Sequence, residues 1–167
     1  NLFTVVEGGD HHVTIMDGDR MEPLYRFQSR FALHGGAKYF APTRVDEQVL
    51  AELKTLIPLA PLHNYGEAAA IEYCREKYPE LPNVAVFDTS FHMTMPEVAY
   101  TYALPKDVCD KYHVRKYGAH GTSHRYEWMM AKEILGARCH RLLSCHLGNG
   151  ASLAAIEDGV CRDTTMG

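Results

Sequence analysis

The chain has 167 residues, 46% of them hydrophobic and 23% charged, the balance of one globular domain or two small lobes and too apolar for a disordered chain. Its 17 Lys and Arg against 21 Asp and Glu give a formal charge of -4, which, without a long basic run, argues against nucleic acid as the main partner. No apolar stretch is long enough to cross a membrane. The start, Asn1-Leu2-Phe3-Thr4, has no basic n-region, so no signal peptide is expected. It also lacks an initiating Met, the mark of a processed chain or of a piece cut from something larger. Cys74, Cys109, Cys139, Cys145 and Cys161 are scattered, odd in number and without a C-x-x-C pair. That is neither a disulfide nor a zinc framework, and it predicts reduced thiols and a cytoplasmic location.

In chain order, residues 2–6 and 13–16 are β-rich and flank Glu7-Gly8-Gly9-Asp10, with Asp17-Gly18-Asp19 as a second turn. This predicts a hairpin or meander. Phe31-Ala32-Leu33 reads as a short strand stopped by His34-Gly35-Gly36. From Asp46, the spacing of Val49, Leu50, Leu53, Leu56 and Ile57 predicts a helix ended by Pro58 and Pro61. Residues 66–78 predict another helix. The run Val84-Ala85-Val86-Phe87 reads as a strand buried on both faces. A short helix is expected over 106–112. A longer one runs to Leu135, capped by Thr122 or Ser123 and closed by Gly136. Leu142 to Cys145 predicts a further buried strand, and Ser152 to Ile156 the next, followed by a turn at Asp158-Gly159. Helices and strands alternate, so the expected class is α/β.

Four places could carry chemistry. Asp88 follows an apolar strand, where ligands gather in open α/β sheets; a carboxylate there holds a metal, acts as a base or simply caps a turn. His120-Gly121-Thr122-Ser123-His124 sets two imidazoles four apart, but Gly121 stands where a zinc hydrolase needs its Glu. It also suggests that His120 lies on a loop before a helix, beside backbone N–H groups that favour an anion. His146-Leu147-Gly148-Asn149-Gly150 joins two strands as either an anion nest or a plain hairpin turn. His63-Asn64 opens a helix, either to bond an oxygen-rich ligand or to order the loop.

These motifs occur together and in order: His34-Gly35-Gly36, Ala60-Pro61-Leu62-His63-Asn64, the segment from Val84 to His92, Tyr117-Gly118-Ala119 with His120 to His124, Cys145 with His146 to Gly150, and Asp163-Thr164-Thr165-Met166-Gly167. As a set they closely resemble the acetate kinase family, from about residue 30 onward. The resemblance implies a partial actin-like (ribonuclease H-like) two-lobed fold, with residues 1–88 in the rear of the first lobe and 89–167 in the front of the second, residues 1–29 being divergent. It implies transfer of phosphate from ATP to a short carboxylate such as acetate, with ATP or ADP and Mg²⁺ bound.

By motif, the resemblance makes Asp88 the active-site carboxylate, His120 the transition-state histidine and His63 a third group near the phosphoryl. It makes His146, Leu147, Gly148, Asn149 and Gly150 a nucleotide-phosphate loop, and Leu33 and Leu62 the lining of an acyl pocket. No residue is assigned as a metal ligand. The family's substrate arginine falls at Phe31. Arg30 is one place off, and in a strand it reaches that pocket only through a bulge. The family's serine-rich phosphate loop, adenine-binding segments, second arginine and metal-binding Glu find no counterpart in these motifs, so the chain is expected to be a fragment or truncated form. Two other readings stay open: a non-catalytic nucleotide-binding or assembly module, and a metal hydrolase using His120 and His124. A homodimer is also left open, since an incomplete sheet tends to associate.

Overall fold

The computed structural model describes residues 2–7, 12–17, 19–20, 22–28 and 33–167, with 2–7, 12–17 and 23–28 as backbone. The chain folds as two units, Asn1–Asp88 and Thr89–Gly167. The first opens with β1 (Leu2–Glu7), β2 (His12–Asp17) and β3 (Glu22–Gln28). They form an antiparallel meander, β1 pairing with β2 and β2 with β3.

A two-residue strand β4 (Thr43–Arg44) then leads into α1 (Glu47–Thr55). Asp46 caps α1, its carboxylate accepting from the Val49 N–H at 2.8 Å, which satisfies one of the orphan donors of the first turn. Leu50 and Leu53 of α1 are buried. They pack with Leu33, Tyr39, Val45, Ile71, Ala85 and Phe87 as one core, in which the rings of Tyr39 and Phe87 stack at 4.3 Å.

The second helix begins earlier than its periodicity suggests. After a 3-10 turn at Ile57–Leu59, α2 runs from Pro61 to Lys77. Proline suits that first position, because its missing N–H would be unsatisfied there anyway. His63 and Asn64 therefore lie in the first turn of α2. Its buried residues, Asn64, Glu67, Ala68 and Ile71, follow the i, i+3, i+4, i+7 rule.

Strand β5 (Val84–Ala85) pairs antiparallel with β4, and Phe87 forms a parallel bridge with Leu33. The expectation of burial on both faces fails here. Ala85 and Phe87 are 2% and 1% exposed but Val84 is 37% exposed, the alternation of a strand with one covered face.

The second unit starts with a 3-10 turn (Ser90–Thr94), α3 (Glu97–Tyr100) and α4 (Lys106–Tyr112). Helix α5 (Gly121–Leu135) follows, then the antiparallel sheet β6 (Arg141–Leu147), β7 (Ala151–Glu157), β8 (Val160–Thr164). The N-cap of α5 is His120, not Thr122 or Ser123, and it offers no side-chain cap; Gly136 is the C-cap, as its position predicts. The strand at 142–145 is not buried as expected. Only Ser144 of β6 is buried, and Leu143 is 64% exposed. β6 is an edge strand among the described residues, whereas β7 buries Ser152, Ala154 and Ile156 on one face. The hairpin turn with two positive φ angles is Asp158-Gly159, at +48° and +83°, the geometry that suits tight antiparallel connections.

Candidate functional site

In the second unit, four histidines gather where the start of α5 meets the β6–β7 hairpin. His146 of β6 faces Ser152 of β7 across the ladder, and Ser144 faces Ala154, so these four side chains share one face of the sheet. The serines leave room above them for imidazole rings. His124, one turn into α5, is fully buried and lies between two of them, its Nδ1 2.8 Å from Ser144 Oγ and its Nε2 2.8 Å from Ser152 Oγ. His120 reaches the same hydroxyl, with Nδ1 2.8 Å from Ser152 Oγ. The His120 and His146 rings stack at 4.0 Å and 18°, and His146 Nδ1 lies 2.9 Å from Ser123 Oγ.

His120 holds this place at a backbone cost. Its φ of +58° and ψ of +27° are left-handed, a region that disfavours residues with a Cβ by about 1–2 kcal/mol. Such a backbone persists only where the surrounding contacts hold it. The turn at 148–150 presses against the same ring: a Cβ on Gly150 would lie 3.0 Å from His120 Cε1 and Nε2, and one on Gly148 would lie 3.3 Å from His146 Nε2. Close approach, rather than positive φ, is what glycine supplies here, since neither residue is among the positive-φ glycines. Gly148 donates its N–H to the Gly150 carbonyl at 3.0 Å, so one amide of the turn is already committed.

His92 completes the cluster structurally. It is fully buried. Its Nε2 donates to the Ala119 carbonyl at 2.8 Å, while its Nδ1 lies 3.2 Å from Cys161 Sγ. A carbonyl only accepts, so Nε2 carries the proton and Nδ1 faces the thiol as an acceptor, sharing that role with the Asp163 carbonyl 3.6 Å from Cys161 Sγ. Burial holds the Cys161 thiol protonated, its pKa pushed up to about 12, and pushes His92 down. His124 is pushed down to about 4, first by burial and then by His92, His120 and His146. It is a neutral ring at ordinary pH.

The other expected residues lie in the first unit. Asp88 is buried, follows the Phe87 bridge and donates its N–H to the Leu33 carbonyl at 2.9 Å. His63 is exposed on the first turn of α2. The neighbouring Asn64 orders the chain: its carboxamide accepts from the His34 N–H and donates to the His34 and Leu56 carbonyls. His34 has its pKa lowered by burial and by the charge of His63, which sets those two rings near each other. Leu33 is a core residue at 1% exposure and Leu62 is 78% exposed, so the two leucines occupy different surroundings. Arg30 and Phe31 lie outside the described residues.

Ser144 and Ser152 were not picked out from sequence. The signal that could have found them is a polar residue at an inward position of an apolar period-2 strand, as in Ser152-Leu153-Ala154-Ala155-Ile156.

The sequence profile of the acetokinase family matches residues 29–167. The chain belongs to the acetokinase family. The acetate kinase of Bacillus cytotoxicus is 53% identical over 137 residues, which are 81% of this chain and 34% of that protein. The acetate kinase of Thermotoga maritima is 49% identical over the same shares. This acetokinase-family chain thus spans about a third of the length of the curated relatives it matches.

Among solved structures, a propionate kinase from Francisella tularensis superposes with a TM-score of 0.86 at 30% identity, covering 100% of this chain and 57% of its own. The acetate kinase of Porphyromonas gingivalis gives 0.83 at 29%, with the same coverage. The fold is therefore the α/β, actin-like fold of these kinases. A second profile, the cytochrome D1 heme domain, matches residues 1–45 and overlaps the acetokinase match over 29–45.

Proposed function

We propose that this acetokinase-family chain carries part of the phosphoryl-transfer centre of an enzyme that makes an acyl phosphate and ADP from ATP and a short carboxylate such as acetate or propionate. A carboxylate oxygen would attack the γ-phosphorus while the bond to the ADP oxygen breaks. The protein has little covalent work in such a step and contributes position and charge neutralisation. The observation that carries the reading is His120, held in left-handed backbone at the start of α5, hydrogen-bonded through Nδ1 and covered by Gly150. A ring so fixed can offer its second nitrogen to a phosphoryl oxygen.

His120 is the transition-state group in this reading. Asp88 is the active-site carboxylate, His63 a further group near the phosphoryl, and 146–150 the wall beside the nucleotide phosphates. Mg²⁺ enters with the nucleotide, as part of that substrate. We place Asp88 at the rear of a first lobe and residues from Thr89 in a second. Five unpaired thiols fit a reducing cytoplasm, and the exposed edge of β6 favours a homodimer of the chain by itself.

The hydrolase reading loses its ligand pair, because serine hydroxyls occupy both nitrogens of His124. The assembly-module reading is kept as the second, because the Gly148 N–H is already given to the Gly150 carbonyl, which leaves that amide of the turn committed within the protein. Titration of ATP, ADP or inorganic phosphate with Mg²⁺ into the histidine-labelled chain separates the two. Kinase ancestry put to use predicts movement of the His120 and His146 ring signals. Invariance of every histidine signal would leave the assembly module.

A further inference from the structure

We propose that Ser144, His124 and Ser152 form a directional hydrogen-bond relay that fixes the tautomer of His120, so that its Nε2 carries the proton and faces a phosphoryl oxygen as a donor. The functional half of this inference rests on the role given to His120 above; the relay itself stands on the geometry of the second unit alone.

Ser152 Oγ lies 2.8 Å from His120 Nδ1 and 2.8 Å from His124 Nε2, yet a hydroxyl has one hydrogen to give. It therefore cannot donate to both rings. His124 is neutral at ordinary pH, with His92, His120 and His146 around it. It has one N–H for two serine partners and must donate at one nitrogen and accept at the other. Ser144, His124 and Ser152 are all at or below 4% exposure, so water does not compete for these bonds and each is worth more than at a surface.

Three orientations put one hydrogen in every contact, because the Ser152 oxygen has two lone pairs and can accept from both rings. In one, the Ser144 O–H donates to His124 Nδ1, His124 Nε2–H donates to Ser152, and the Ser152 O–H donates to His120 Nδ1. His120 is then left with its proton on Nε2. In the second, every bond reverses. In the third, His124 Nε2–H and His120 Nδ1–H both donate to the Ser152 oxygen. In either, Nε2 of a neutral His120 holds a lone pair, which repels a phosphoryl oxygen. Only the first orientation makes His120 an electrostatic stabiliser. Ser144, His124 and Ser152 are then positioning residues, acting through His120 without touching substrate. A purely structural cluster is served equally by any of the three, or by a mixture.

The test is a long-range ¹H–¹⁵N spectrum of the chain labelled in its histidine rings, taken above the histidine titration range. His92, whose Nε2–H is fixed by the Ala119 carbonyl, is the internal standard for that tautomer. The relay predicts Nε2–H with bare Nδ1 for both His120 and His124. Ser152→Ala is expected to shift the two His120 nitrogens toward a common averaged position. Ser144→Ala, which leaves the His120–Ser152 contact in place, is expected to do the same through His124. Nδ1–H on His120, averaged nitrogens in the unsubstituted chain, or a His120 unmoved by both substitutions would each overturn the relay. The first two outcomes need no variant to fold. Inorganic phosphate added to the unsubstituted chain reads the functional half separately. A response at His120 supports it. A fixed Nε2–H tautomer that ignores phosphate upholds the relay and overturns the phosphoryl role.

Discussion

His124 is where single-residue physics is most exposed to experiment. Its pKa lies near 4 in the folded chain, against about 6.5 for an unfolded histidine. Between those values the unfolded state binds more protons, so stability rises with pH and is lost as pH falls from about 6.5 toward 4. The ring is fully buried, and the expected loss between about pH 7 and pH 5 is on the order of 2 kcal/mol. Urea unfolding of the second unit at the two pH values measures it, and His124→Gln should remove most of the difference. A midpoint that ignores acid in the unsubstituted chain would show that His124 takes up its proton without penalty. The sequence made the pair His120 and His124 visible through spacing, but not its meaning. Four-residue spacing suggests a shared ligand, whereas the structure gives His124 to two serines and leaves His120 on the left-handed residue that opens the helix.

At the scale of elements, the segment before α5 is set by His92. Gly118 has φ +81°, and a Cβ there would sit 2.4 Å from His92 Cγ. His92 cannot retreat, because the Ala119 carbonyl and Cys161 hold both its nitrogens. Gly118→Ala is therefore expected to destabilise the second unit by about 3 kcal/mol or more, combining a strained φ with a backbone-borne clash. Denaturant titration checks this; a loss below about 1 kcal/mol would mean that the loop and ring shift together. Helices were legible where local signals agree, as for Asp46 capping the Leu50–Leu53 face of α1. They were misjudged where one residue serves two elements, as Pro61 both follows a turn and opens α2. Burial of strands was harder to read. Val84 and Leu143 are apolar yet 37% and 64% exposed, because composition cannot show which neighbours cover a strand.

At the scale of the whole molecule, several large apolar side chains of the described residues lie exposed. Val98, Ile134, Leu143 and Leu147 are 89%, 73%, 64% and 77% exposed, and the chain spans about a third of its relatives. Groups that act as a unit in phosphoryl transfer fail together rather than additively. The chain by itself is accordingly expected to stay below about 1 s⁻¹ in acyl phosphate formation, the lower end of kinase turnover. The direct measurement is hydroxamate trapping of acyl phosphate, with ATP, Mg²⁺ and acetate or propionate. It is made on the Bacillus cytotoxicus acetate kinase carrying the matched 137 residues of this chain in place of its own. The graft is predicted to turn over. Asp88→Ala and His120→Ala should each lower kcat about 10²–10³-fold, the effect of losing one transition-state contact, with a smaller change in KM for ATP. Undiminished turnover in a graft carrying both substitutions would contradict the account.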